Sequence, residues 1–219
     1  MNAAPGPQEI AAARKALVAL DPALERAHLA MPVFEWRSRV GGYEGLFRMI
    51  VEQQVSLASA AAIWKRVTEG LEHELTPQRV LATDIEALRA MGLSIQKATY
   101  GHEIARAHVE GRIDFDHLER LSDQEATARL VAIKGVGRWT AETFLMFCEA
   151  RTDVFPAGDI ALQEAMKWAD RATLRPREKD AYLRSEAWKP HRSVAAHLLW
   201  GWYGAVKRGE VALEDTAQP

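Results

Sequence analysis

Apolar positions recur at helical spacing along most of the chain. In GYEGLFRMIVEQQV, residues 42–55, Leu46, Phe47, Ile50, Val51 and Val55 fall at intervals of one, three and four, which predicts a helix with a single apolar face. Ser56 follows as a cap for a second helix running through Ala-rich sequence to about Glu69. Thr76-Pro77 reads as a cap with proline at the first helical position. Thr83 with Glu86, and Ser122 with Glu125, have capping-box spacing. A long segment from about Ser94 to Glu110 ends at Gly111, a natural stop. Stretches with strand-like alternation are missing, so the pattern predicts an all-α fold.

Breaks rich in Pro and Gly fall at 31–45 and 151–158. They divide the chain into an N-terminal segment (1–42), a central helical domain (43–152) and a C-terminal helical lobe (153–219), the first expected to pack with the last. No internal repeat or low-complexity tract interrupts this scheme.

With 219 residues and 48% hydrophobic content the chain can build a substantial core. Its net charge of −2 announces no polyanion partner, so a nucleic-acid-binding face would have to be local. A single cysteine, Cys148, excludes an intramolecular disulfide and a cysteine-ligated iron–sulfur cluster; within FLMFC it reads as a small core residue. The start, MNAAPGPQEI, lacks a secretory pattern, and no apolar run approaches the ~20 residues that span a bilayer. The expectation is a cytoplasmic protein with no membrane partner. His102 and His108 are too far round a helix from each other to share a zinc ion, because six residues turn the chain through roughly 600°.

The most informative stretch is LVAIKGVGRWTAETFLMFCEARTDVFPAGDIAL, residues 130–162. Gly135 can end one helix and Gly137 can open the next, an ordinary helical corner. The same geometry suits a phosphate. Glycines let a nucleic-acid backbone approach, and the following helix begins with N–H groups that have no intrahelical acceptor. Lys134, Arg138 and Thr140 add donors at the rim. Such contacts position a duplex without reading its sequence. Asp159, just before IALQEAMKWA, reads locally as a helix N-cap.

IKGVGRWTAE, a second apolar helix and then DVFPAGDIAL together resemble the helix-hairpin-helix DNA glycosylase superfamily. GRWTAE, EQQVSLASA (52–60) and EAWKPHRSVAAHLLW (186–200) are similar to its 3-methyladenine DNA glycosylase II branch, and the likeness covers roughly 40–205. The resemblance implies two helical lobes with a DNA-binding cleft between them. It implies a monomeric enzyme that binds damaged double-stranded DNA and needs no cofactor. The chain has only about forty residues before the core, so it resembles a short form lacking the branch's extra N-terminal domain.

By this resemblance Asp159 is the catalytic carboxylate, and Trp139, Trp200 and Thr143 line the base pocket, Thr143 standing where some relatives carry tyrosine. Lys134, Gly135, Gly137, Arg138, Thr140, Gln53, Gln54 and Ser56 contact DNA, with Gln54 a polar filler for the gap left by a flipped base. The carbonyls of Val131, Ile133 and Val136 would hold a structural Na⁺ or K⁺. Trp36, Trp64, Trp168, Trp188 and Trp202 read as core, and Arg192 as a structural partner for an acidic group.

The chemistry agrees with these roles. Breaking a base–sugar bond develops positive charge on the sugar, which a carboxylate at a helix start can counter. N3- or N7-alkylated purines are cationic and leave readily, and an indole face attracts a cation by roughly 0.5–2 kcal/mol. Lyase-type relatives carry lysine where this chain has Trp139, so the expectation is a monofunctional enzyme excising bases such as 3-methyladenine and 7-methylguanine during base excision repair. Two other readings stay open at this point: a glycosylase for another lesion such as uracil or hypoxanthine, and a non-catalytic DNA-binding module.

Overall fold

The computed structural model describes residues 3–31 and 34–213; the ends of the outer predicted segments, 1–2 and 214–219, lie outside it. The described residues carry twelve α-helices and three short 3₁₀ turns, with no strand among them. They divide into two compact units, one formed by Arg39–Glu149 and the other by 3–38 together with the chain from Ala150 onward.

The second unit opens with α1 (Pro7–Leu20) and α2 (Glu25–Ala30). The Arg39–Glu149 unit then contains α3 (Gly42–Glu52), α4 (Leu57–Gly70), α5 (Pro77–Ala82), α6 (Ile85–Ala90), α7 (Ile95–Val109), α8 (Asp123–Val131) and α9 (Arg138–Phe147). Its core is built on α3, whose Leu46, Phe47, Ile50 and Val51 are fully buried. α7 packs against α3 and α5, and Gly101 lets it approach closely: a Cβ there would sit 2.5 Å from the Phe47 ring. Ser56, Thr76 and Ser94 cap their helices, and Ser122 with Glu125 closes a reciprocal capping box. Gly111 takes the left-handed conformation expected of a helix stop. Cys148 is buried, and burial pushes its thiol up to about 12, so it behaves as a small hydrophobe.

Two expectations fail here. The predicted Thr83–Glu86 box does not form: Asp84 caps α6 by accepting the Ala87 N–H at 2.7 Å, and the Thr83 hydroxyl instead donates to Arg79 O. Nor does Val55 share the apolar face of α3. The helix ends at Glu52, Gln54 turns left-handed (φ +53°), and Val55 is exposed.

The second unit is completed by α10 (Ile160–Ala169), α11 (Glu178–Ser185) and α12 (Arg192–Lys207). Leu198, Leu199 and Trp202 of α12 are fully buried, and α12 packs on α10 and α1. Trp188 donates its N–H to Asp21 at 2.6 Å, and Arg184 binds both Asp21 and Asp170. Trp168 stacks on Tyr203 and meets Trp202 edge-on, as core tryptophans do.

Candidate active site

The loop that delivers Asp159 is clamped on several sides. Ser193, at the start of α12, gives its hydroxyl to Val154 O, receives the Val154 N–H, and donates its own N–H to Thr152 O. Arg192 grips Asp153 through both carboxylate oxygens and its carbonyl, and reaches Glu186 as well, the structural pairing expected of it. Phe155 is buried edge-on against Trp188, and Gln163 donates to Ala157 O at 2.7 Å. The loop is thus held by bonds at 152, 153, 154 and 157, and the carboxylate two residues later has little freedom.

Asp159 caps α10 by accepting the N–H groups of Ala161 (2.9 Å) and Leu162 (3.0 Å) on Oδ1. The indole N–H of Trp200 donates to the same oxygen at 3.0 Å, across 41 residues of sequence. The cap and the catalytic placement are thus one geometry, with the carboxylate held beside an indole. Trp200 also lines a pocket of about 310 Å³ with Phe34, Glu35, Arg37 and His197.

His197 was not among the expected site residues. It is 4% exposed, stacks on Trp36 with ring centroids 4.2 Å apart, and meets Trp200 edge-on at 6.1 Å. Nδ1 lies 2.8 Å from Ser193 O, so that nitrogen carries the proton, and Nε2 accepts the Arg37 main-chain N–H at 3.3 Å. Burial, with the charge of Arg37 adding to it, drives the imidazole down to about 4. Trp36, read from sequence as core, is half-buried and belongs to this aromatic group. The only sequence signal for the group was a histidine about one helical turn before Trp200, on an otherwise apolar helix face.

In the Arg39–Glu149 unit, α8 and α9 form the hairpin. Its two glycines do different work. Gly135 is left-handed (φ +98°), and a Cβ there would meet the Tyr100 ring at 2.2 Å, so this glycine is demanded by packing and backbone together. Gly137 opens to space: nothing lies within 4 Å of where its Cβ would stand. It precedes α9, whose first intrahelical bond runs from Ala141 N–H to Gly137 O. Lys134 and Arg138 are exposed at this helix start, Arg138 pairing with the buried Glu142 at 3.0 Å.

Two threonines sit differently from expectation. Thr140 is buried and its hydroxyl accepts the Gln53 side-chain amide at 3.2 Å, so it adds no side-chain donor to the rim. Thr143 is 1% exposed and turns its hydroxyl back onto Trp139 O and Thr140 O, so it offers a base neither surface nor a polar group. Trp139, by contrast, is 42% exposed at the second position of α9.

Gln53, Gln54 and Ser56 lie on the turn between α3 and α4. The Gln53–Thr140 bond ties this turn to α9, and Lys97 Nζ donates to Val51 O (2.8 Å) and Gln53 O (2.7 Å) from the other side. Lys97, absent from the sequence-level candidates, therefore caps the carbonyl end of α3. Val131, Ile133 and Val136 follow one another round the hairpin. Carbonyls at the end of a helix lack intrahelical partners, and oxygen-only ligands suit a hard cation. Ile133 O already accepts the Val136 N–H at 3.0 Å and would share its second lone pair. Among the described residues there is no cluster of His, Cys, Asp or Glu fit to hold a metal ion, and no helix is long and apolar enough to cross a membrane.

An all-helical scaffold that joins a glycine hairpin to a buttressed aspartate at a helix start defines a class of DNA-processing proteins. Residues 47–191 match the model of the HhH-GPD superfamily base excision DNA repair proteins, and the chain belongs to that superfamily. It is similar to DNA-3-methyladenine glycosylase 1 of Schizosaccharomyces pombe, 35% identical over 161 residues, covering 72% of this chain and 71% of that protein. Among solved structures, a DNA-3-methyladenine glycosidase from Bacillus halodurans superposes with a TM-score of 0.81 at 32% identity, over 92% of this chain and 94% of that one. The Schizosaccharomyces pombe 3-methyladenine DNA glycosylase Mag1, solved in complex with abasic DNA, superposes with a TM-score of 0.76 at 31% identity, over 92% and 98% of the two chains.

Proposed function

We propose that this protein is a monofunctional DNA glycosylase that hydrolyses the N-glycosidic bond of alkylated purines, of the 3-methyladenine and 7-methylguanine type, in duplex DNA during base excision repair. The observation that carries the reading is the Asp159 carboxylate, fixed on the α10 start by two main-chain N–H groups and the Trp200 indole N–H. The names and DNA-bound state of the relatives support it.

In this mechanism the duplex backbone docks on the α9 start through Gly137 and the adjoining N–H groups, with Lys134 and Arg138 at the rim. The target nucleotide leaves the stack. As the bond from C1′ to the base nitrogen breaks, its electron pair goes to the alkylated base, whose cationic charge is thereby neutralised. Positive charge builds on the sugar, and Asp159, already held in place, stabilises it without having to reorganise. Water adds its oxygen to C1′ and gives up a proton, leaving an abasic site. The indole faces of Trp139 and Trp200 attract a cationic purine more than a neutral one. Position 139 offers an indole in place of an amine, so it forms no Schiff base and the strand stays intact. An alkali ion on the Val131, Ile133 and Val136 carbonyls would add positive charge beside the docked phosphate. The enzyme works as a monomer in the cytoplasm on this reading.

Incubation with methylated duplex DNA tests it: free 3-methyladenine and 7-methylguanine should appear, with strands breaking only after alkali. Strand cleavage without alkali, or release of uracil or hypoxanthine but no alkylated base, would overturn it.

A further inference from the structure

We propose that Leu57, and not Gln54, is the side chain that enters the duplex beside the extruded nucleotide. This rests on the glycosylase reading and extends it to a residue that no sequence motif singles out. A lone exposed leucine is ordinary; the construction around this one is not. Leu57 is 86% exposed at the first position of α4, and Val55, two residues before it, is 38% exposed. The turn that displays them is anchored at several points. Gln53 is bonded to Thr140, Lys97 holds the carbonyls of Val51 and Gln53, and the Ser56 hydroxyl accepts the Ser59 N–H at 3.2 Å. Gln54 meanwhile adopts a left-handed conformation that few side chains tolerate.

The Gln53–Thr140 bond sets the turn against the third residue of α9, the helix whose start takes a phosphate. A duplex engaged there brings its groove to the same turn. Proteins that part a base step do so with apolar wedges, and of the outward residues here Leu57 and Val55 are apolar while Gln54 is not. The partner of this small apolar surface is therefore an unstacked step of damaged duplex DNA.

The test uses the whole chain and a duplex holding a tetrahydrofuran abasic analogue with 2-aminopurine as its neighbour. Wild type should bind it with a rise in 2-aminopurine fluorescence. Leu57→Ala should abolish that rise and weaken binding by about tenfold, the order expected for losing most of a leucine's burial, and Leu57→Met should restore both. Affinity for undamaged duplex, carried by phosphate contacts, should change less than about twofold. Because Leu57 lies in water, its substitution should leave the melting temperature unchanged. If Leu57→Ala matches wild type while Gln54→Ala loses the signal, the inference falls and the glycosylase reading stands. If wild type itself has no preference for the abasic duplex, both fall.

Discussion

Replacing His197 with glutamine should remove a specific acid sensitivity from the protein. In the fold the ring is neutral and 4% exposed, held between Trp36 and the Ser193 carbonyl, with Nε2 accepting from Arg37. A second proton would have to sit on Nε2, facing an N–H donor. Its value of about 4 in the fold lies below the ordinary 6.5, so the unfolded chain takes up the proton first. The neutral ring's contribution is thus complete above 6.5 and is lost as pH falls from there through 4. A displacement of this size corresponds to about 3 kcal/mol in full, of which about 2 kcal/mol should vanish between about pH 7 and pH 5. The assay is urea unfolding of wild type and His197→Gln at those two pH values. Burial also lowers His28, and Glu125, Glu186 and Glu210 are held below the usual carboxylate range by their partners, but both proteins share these groups and the difference between them isolates His197. Glutamine should lower stability at about pH 7 yet flatten the pH dependence by about 2 kcal/mol. Equal slopes would refute the argument that this ring is a buried, neutral acceptor.

Three further substitutions probe the frame around the site, and a fourth the hairpin. Trp200→Phe keeps the aromatic face but deletes the N–H to Asp159 Oδ1, and should lower the single-turnover rate about tenfold to a hundredfold, as a hydrogen bond to a charged group is worth about 1.5–3 kcal/mol. Lys97→Met removes both donors from the Val51 and Gln53 carbonyls; chemical denaturation should show a loss of about 1–3 kcal/mol, with weaker binding to abasic DNA. Gly135→Ala should cost about 2–4 kcal/mol in the same assay, from the left-handed backbone and the Tyr100 clash combined. Gly137→Ala should melt near wild type and lose affinity for duplex DNA, because its Cβ enters only the space a phosphate needs.

What could be read from sequence was local. Serine and threonine caps at 56, 76, 94 and 122 gave the helix starts because each bonds a backbone N–H three residues on. The cap at Asp159 was legible for the same reason. Local reading failed where two neighbours competed or the backbone turned unseen. Asp84 displaced Thr83 as a cap, and the left-handed Gln54 broke the period that would have carried α3 through Val55. The roles of Thr140 and Thr143 were misjudged because burial depends on what lies opposite a helix face, which spacing alone does not reveal. His197 and Lys97 find their partners 160 and 44–46 residues away. The pairing of Trp200 with Asp159 likewise spans the sequence, and only the family resemblance placed the two residues together beforehand.

The central claim is that Asp159 supplies the negative charge that lets the base depart. The most direct measurement is the single-turnover rate of 7-methylguanine release from duplex DNA by wild type and Asp159→Asn, with abasic-DNA binding measured alongside. Asparagine keeps an oxygen for the Ala161, Leu162 and Trp200 donors, so the fold and binding should persist. The rate should fall at least about a hundredfold, the scale on which preorganised electrostatic groups act. Release by Asp159→Asn at the wild-type rate would contradict the account.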